Sequence, residues 1–505
     1  MSRRRKILIV VVVALGVAVF IPVIHHYQLR AAVNGYIAEL KAKGEPMELA
    51  QVIPPPAPPG QNGVPFITNA LANLKSEGLV ANNPPPAMRM VAAGRAMIGW
   101  QQPDIRSSDG TNKWEDLGRE LKNAKSDLDS FQSLTKHPIL DFNLDYQKDF
   151  DLQLPNLASL KRSAQWLSAS ALYDLHQGNP KNACADVRAM LALVKGEADE
   201  RILISQLVRI AIAAIGASAT WEILQDPNVS DDDLAQLQQD WQSLEFTAPI
   251  EQAMMFERVE QLQEFTETRT STEKFNKIWG YFYYAPETPV KENMIPRSML
   301  TPRSLFLRNW DELQWRWFWS YQNELHGLRS FQVVIDATRV AETNKSFQAA
   351  QSFTNTKLTQ LDQKQYSIAG LRGVFSANAL NAALRRAVRI EIAQNVVVTA
   401  IALKRYELRH HQFPATLNQL TPDLLQTVPI DCMDGEPVRY RPNADGTFLL
   451  YSTGANGVDD GGDPSLQKNI QSSIFYWQND HALDWVWPQP ATAEEVQNFY
   501  EHPPK

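Results

Sequence analysis

Cysteine is nearly absent: Cys184 and Cys432 are the only two in 505 residues. A fold held by a disulfide framework is therefore excluded, and two separate thiols in different modules are expected. An excess of basic charge is also missing. Lys and Arg total 49 against 56 Asp and Glu, a net charge of −7, so no field draws in nucleic acid and no nucleic-acid binding is expected.

The common catalytic signatures are missing as well. There is no G-x-S-x-G, G-x-x-x-x-G-K, H-E-x-x-H, G-x-G-x-x-G or C-x-x-C, so no catalytic residue is assigned and a non-enzymatic protein is expected. His410 and His411 adjoin carboxylates, but neighbours on a helix diverge by ~100° and share a metal poorly. What remains is a globular composition, 44% hydrophobic and 21% charged, in a chain long enough for several domains.

One long apolar run is present. Ile7 to Ile24 carries no charge, follows Arg3, Arg4, Arg5 and Lys6, and precedes His25, His26 and Tyr27. Its 18 residues reach ~27 Å at ~1.5 Å each, close to the ~30 Å hydrocarbon core. The basic cluster places the N-terminus in the cytoplasm and the bulk of the chain outside it. The expectation is an uncleaved signal anchor crossing the membrane once, with an extracytoplasmic body. A cleaved signal peptide is the competing reading, although no A-x-A-like site follows promptly.

Four stretches follow from this: 1–27, cytoplasmic tip and transmembrane anchor; 28–90, helical stalk and Pro-rich linker; 91–384, an extracytoplasmic helical domain; 385–505, an α+β module with a tail. The anchor helix is expected to run on to Lys43, where Gly44 and Pro46 stop it. Pro54 to Pro59 then impose extended chain, with one short helix expected at Thr68 to Lys75.

The strings LKAKGEPMEL, PPPAPPG and ISQLVRIA resemble a group of singly anchored bacterial envelope proteins. That resemblance implies an envelope location and an all-helical middle, with no activity to carry over. In the middle, Leu157, Leu160, Ala164, Leu167, Ala171 and Leu175 form one stripe, and Ala183, Val187, Leu191 and Val194 another. Gly178, Asn179 and Pro180 between them suit a C′ glycine, an N-cap and a first helical position. Two helices joined so tightly form an αα-hairpin, tetratricopeptide-like in plan though without that repeat's consensus. Arg201 to Leu224 is expected as a buried core helix interrupted by Arg209, and Ser230 with Asp233 as a capping-box-like start of the helix after it.

Residues 275–321 are rich in aromatics: Trp279, Tyr281 to Tyr284, Trp310, Trp315, Trp317, Phe318, Trp319 and Tyr321, with Arg303, Arg308 and Arg316 among them. They are expected chiefly as core between helices. A lipid interface, a sugar-stacking surface or a partner's groove are the functional alternatives. A cell-wall glycan hydrolase in this region would need Asp311 and Glu312 as its acid and base.

From Arg385 a long amphipathic helix is followed by Phe413-Pro414, then by alternating segments around Asn443 to Gly446, a loop with hairpin chemistry. With PIDCMDGEPVRY and YSTGANGVDDGGD, the stretch Arg385 to Asp463 resembles the major pseudopilin of type II secretion systems. The resemblance implies a pseudopilin-like module and a loop binding a structural Ca²⁺. Its ligands here would be Asp459, Asp460 and Asp463, with main-chain oxygens from around Ser452 to Val458. Ca²⁺ takes six to eight hard oxygens, and glycines let carbonyls turn inward. A pseudopilin's helix begins at a processing site, which is absent here, so an ordinary filament subunit is excluded. The fold class expected is mainly α: an anchor helix, helical hairpins and a small α+β module. The function expected is an extracytoplasmic scaffold with protein partners. An accessory of a secretion or pilus-like assembly and a glycan-binding protein are the alternatives.

Overall fold

The computed structural model describes residues 3–107, 110–154, 156–283, 309–362, 377–466 and 477–502. It is mainly helical with small sheets. In chain order the helices of nine or more residues are α1 (Arg3–Ala42), α2 (Val64–Asn73), α3 (Trp114–Phe131), α4 (Asn156–His176), α5 (Pro180–Gly196), α6 (Leu203–Leu224), α7 (Asp231–Gln242) and α8 (Thr247–Thr270). They continue as α9 (Thr272–Tyr283), α10 (Ser320–Asn344), α11 (Phe347–Asp362), α12 (Ala377–His410) and α13 (Ala493–Glu501). The strands are β1 (Arg89–Ala92), β2 (Arg95–Met97), β3 (Ile105–Ser107), β4 (Gly110–Asn112), β5 (Arg439–Pro442), β6 (Phe448–Ser452), β7 (Trp485–Val486) and β8 (Gln489–Pro490).

The chain divides into two compact units, neither contiguous in sequence. The first comprises 1–53, 254–336 and 354–381, and the second 54–253, 337–353 and 382–505. This differs from division into consecutive blocks, because single long helices contribute residues to both units. Tyr284, Arg303, Arg308, Phe475 and Tyr476, and residues 363–376 of the expected helical domain, lie outside the described residues.

In the first unit α1 is one unbroken helix ending at Ala42, and Gly44 at φ +84° turns the chain away. Leu40, Val33, Met47, Leu325 and Leu328 form a core there. Glu45, just past the helix, reaches buried Arg258 on α8 at 3.1 Å and accepts a second hydrogen bond from Gln332 Nε2 at 3.1 Å. Arg258 also donates to the Pro46 carbonyl at 2.9 Å. A second small core joins Phe265, Phe275 and Trp315.

In the second unit α4 and α5 make the expected hairpin. Gly178 has φ +75°, its N–H meets the Leu175 carbonyl at 3.0 Å, and the Asn179 N–H meets Asp174 O at 2.8 Å. That paired arrangement is the Schellman ending that only a residue tolerant of positive φ allows. Both expected stripes are buried except for Leu157, which is half-buried at the start of the first, and α6 packs against α4 and α5. Among the described residues α6 has the length and apolarity to cross a bilayer, with mean hydropathy 1.6 and half of its apolar window buried. Buried Arg209 on α6 donates to the carbonyls of Val194 and Glu245 at 2.5 Å each and stacks over Phe246. The α7 start is as expected, with Ser230 Oγ accepting from the Asp233 N–H at 3.1 Å.

The Pro-rich stretch does more than link. Ile67 and Ala70 of α2 are buried, as are Leu74 and Val80 beyond it, so this segment contributes to the second unit's core. Prolines removed backbone donors but left the apolar side chains between them free to pack.

The sheets are small. β1, β2 and β8 form one, β3 and β4 a hairpin, and β5, β6 and β7 a third. The β5–β6 pair is antiparallel with Arg439 opposite Tyr451 and Pro442 opposite Phe448. The tail returns through β7 onto β6 and β8 onto β2, and Trp485 and Trp487 are buried by it.

Candidate functional site

The β5–β6 hairpin carries the residues that hold its neighbouring loops. Asp431 sits in the turn before β5, where its backbone N–H meets the Glu436 carbonyl at 2.7 Å and Gly435 N–H meets its own carbonyl at 2.8 Å. Its fully buried carboxylate accepts from the N–H groups of Met433 and Thr453 at 3.0 Å each and from Ser452 Oγ at 2.9 Å. Arg439 on β5 donates to the same carboxylate at 2.9 Å. Burial pushes the Asp431 carboxyl above its ordinary range against those donors.

Arg439 is a hub. It also pairs with Asp434 and, through Nε, lies 3.5 Å from Asp459. Burial works to lower the guanidinium, and Asp434, Asp431 and Asp459 outweigh it and hold it above its usual value. These bonds tie the 431–436 turn, β5 and the 452–463 loop to one cation.

The expected metal ligands lie on that loop with separate partners. Asp459 accepts from Tyr451 Oη and from the Gly461 N–H at 3.0 Å each. Burial pushes its carboxyl up, but those donors and Arg439 leave it below the ordinary range. Asp460 accepts from Asn456 Nδ2 at 2.9 Å, and Asp463 from the Ser465 N–H at 2.9 Å. Among the described residues no group of three or more His, Cys, Asp or Glu is arranged to hold a metal ion.

Sequence reasoning missed Asp484. It is buried just before β7 and accepts from the N–H groups of Asp460, Gly462 and Asp463 at 3.4, 2.7 and 3.2 Å. Its own N–H returns to the Asp463 carbonyl at 2.9 Å. Gly461 and Gly462 at φ +78° and +81° let successive N–H groups face one side, which is how a backbone nest receives an anion. The Gly-rich spacing signals such a turn, but nothing local names the carboxylate that fills it.

Other carboxyls among the described residues are buried as well. Glu197 and Glu222 are both buried, and burial pushes each up to about 8; Asp186 is pushed up to about 7 by the same cause. Glu222 on α6 accepts from the N–H groups of Met88 at 2.7 Å and Gly99 at 3.0 Å. Gly99 is required there, because a Cβ would lie 2.0 Å from the Pro86 carbonyl oxygen. In the folded chain these groups hold protons that the unfolded chain, with a carboxyl value of 4.5 for glutamate, has already released. Stability is therefore full at low pH and falls as pH rises through about 7 to 8. Denaturant midpoints at pH 6 and pH 9 test this: the midpoint is expected to be lower at pH 9.

Glu312 pairs with Arg316 at 2.5 Å and accepts from Thr272 Oγ1 at 2.6 Å, which engages one member of the acid pair a glycan hydrolase would need. Cys184 and Cys432 are both free and buried, with burial pushing each thiol up to about 12. His410 lies against Tyr406, ring centroids 4.2 Å apart.

No protein-family model, no curated protein and no solved structure matches this chain.

Proposed function

We propose that this chain is a non-enzymatic scaffold or interaction protein of the bacterial envelope, held in the inner membrane by Ile7 to Ile24 with its N-terminus in the cytoplasm. The observation that carries the reading is α1: it is continuous from Arg3 to Ala42, and Ile7, Ile9, Val12, Phe20, Ile21 and Ile24 are all exposed along it. Six large apolar side chains in water are unfavourable, and lipid removes that cost. The basic residues before the run set the orientation. A reporter active only outside the cytoplasm, fused after Lys505, is expected to be active; an inactive fusion overturns the topology.

The helical hairpins, tetratricopeptide-like in plan, supply a binding surface in this reading, and 385–505 acts as a pseudopilin-like module. Secretion or pilus-like assembly components recovered with the solubilised full chain would support an accessory role there.

Calcium as a structural ion on Asp459, Asp460 and Asp463 belongs to the same reading. It is supported by three acidic side chains on one glycine-rich loop. Thermal unfolding of the full chain with calcium and with chelator tests it. A midpoint that rises with calcium in the wild type, but not in Asp460→Ala with Asp463→Ala, is the expected result. No response assigns the order of the loop to Asp484 alone. In that case Asp484→Ala, which leaves three N–H groups without their acceptor, costs about 1–3 kcal/mol and the ion nothing.

A further inference from the structure

The first unit joins α1 to the aromatic segment at one level. His26, two residues beyond Ile24, places Nδ1 3.1 Å from the Trp317 carbonyl oxygen, with its ring 4.9 Å from Trp317 and 5.1 Å from Tyr321. Two residues of helix advance only ~3 Å, so residues 317–321 stand where the apolar run ends. Residues 309–314 are helical and pass through a π-helical stretch, Trp315–Trp319, into α10. That segment has two different faces. Trp315 is buried and stacks on Phe265 at 5.6 Å, whereas Trp310, Leu313, Trp317 and Phe318 are 48%, 45%, 42% and 37% exposed.

Beside the exposed face is a cleft of about 690 Å³ lined by Arg30, Arg269, Arg316, Trp317 and Glu324. Arg269 pairs with Glu324 at 2.6 Å and Arg316 with Glu312 at 2.5 Å. Arg30 is exposed and has no ion pair among the described residues. It lies six residues past Ile24, ~9 Å along the helix, and the polar layer of one leaflet is roughly 5–8 Å deep. Tryptophan and phenylalanine beside arginine are the side chains that favour that layer.

We propose that the face formed by Trp310, Leu313, Trp317 and Phe318 lies in the headgroup layer of the bilayer that α1 crosses, with Arg30 toward the lipid phosphates. The proposal rests on the reading of Ile7 to Ile24 as a membrane span. The face continues from the end of that span, and the positive cleft matches anionic headgroups, so the occupant is the lipid surface rather than a second copy or a protein. The four side chains then bring the first unit down onto the membrane instead of holding it clear on a stalk.

The full chain carrying Leu313→Cys, Val12→Cys or Lys43→Cys tests this. Each variant is labelled with a bimane and reconstituted into phosphatidylcholine–phosphatidylglycerol vesicles containing lipid brominated high on its acyl chains. Cys184 and Cys432 are buried, and labelling of the parent chain gives the background. Positions 12 and 313 are expected to be quenched about twofold by the brominated lipid, as membrane-embedded positions are. Position 43, just past the end of α1 and ~28 Å beyond Ile24, is expected to be unaffected. Quenching at 12 without quenching at 313 overturns the proposal and leaves the anchor standing, with water, a second copy or a protein on that face. No quenching at either position overturns both.

Discussion

Replacing Arg258 by alanine is expected to destabilise the first unit by about 3–5 kcal/mol, because it strands Glu45 as a buried, unpaired carboxylate. Arg258 is completely buried and Glu45 is 8% exposed, so neither charge has water to fall back on. Gln332 and the Pro46 carbonyl complete the cluster, and both would lose their donor or their orientation. The double change Arg258→Met with Glu45→Leu removes both charges together and is expected to recover most of that loss. Denaturant unfolding of the detergent-solubilised chain measures both. A loss under 1 kcal/mol for Arg258→Ala, against the ~3–5 expected, would show that the pair is hydrated. The consequence reaches beyond stability, since Glu45 follows directly on α1 and this pair fixes the end of α1 to α8.

Asp431→Ala is expected to cost a comparable ~3–5 kcal/mol in the second unit. The carboxylate has no exposure and serves five groups: two backbone N–H groups, the hydroxyls of Ser452 and Thr453, and Arg439. Alanine leaves all of them facing a void, with the Arg439 cation still held beside Asp434 and Asp459. Asp431→Asn keeps one acceptor oxygen but gives up the ion pair, and is expected to cost less than alanine. The 452–463 loop should then open to protease before the helices do, because its link to β5 runs through Asp431 and Arg439. A loop cleaved no faster in Asp431→Ala than in wild type would overturn that linkage.

Much of the local structure was legible. Gly178 and Pro180 mark the α4–α5 turn because a positive φ and a fixed φ are needs of single residues; Asn179 stands at the expected N-cap position but makes no side-chain cap hydrogen bond. The Ser230 cap and the Asn443–Gly446 hairpin loop are legible for the same reason: each is complete within a few residues. The aromatic stretch was only half legible. Its composition promised both core and interface, and the division of Trp315 from Trp310 and Trp317 depended on which side met Phe265 and Phe275. The Pro-rich segment was legible as extended chain but not as part of a core, since φ restriction says nothing about what a side chain touches.

The sequence alone determined the helix ends that carry their own stop or start residues, at Gly44, Gly178 and Ser230, together with the apolar run and its basic flank, the hairpin and the acidic loop. These follow from steric limits, hydrogen-bond valence and hydrophobic period, all of which act over a few residues. The helix expected at Thr68 to Lys75 instead spans Val64–Asn73, and the one expected from Arg385 begins at Ala377. Only the tertiary structure decided that Asp484 fills the loop at 460–463, that Arg258 meets Glu45, and that Trp317 stands beside His26. Those pairs are separated by as many as 291 residues, as His26 and Trp317 are. No local preference specifies such partners; they are chosen by which buried charges and N–H groups must be satisfied once the helices have packed.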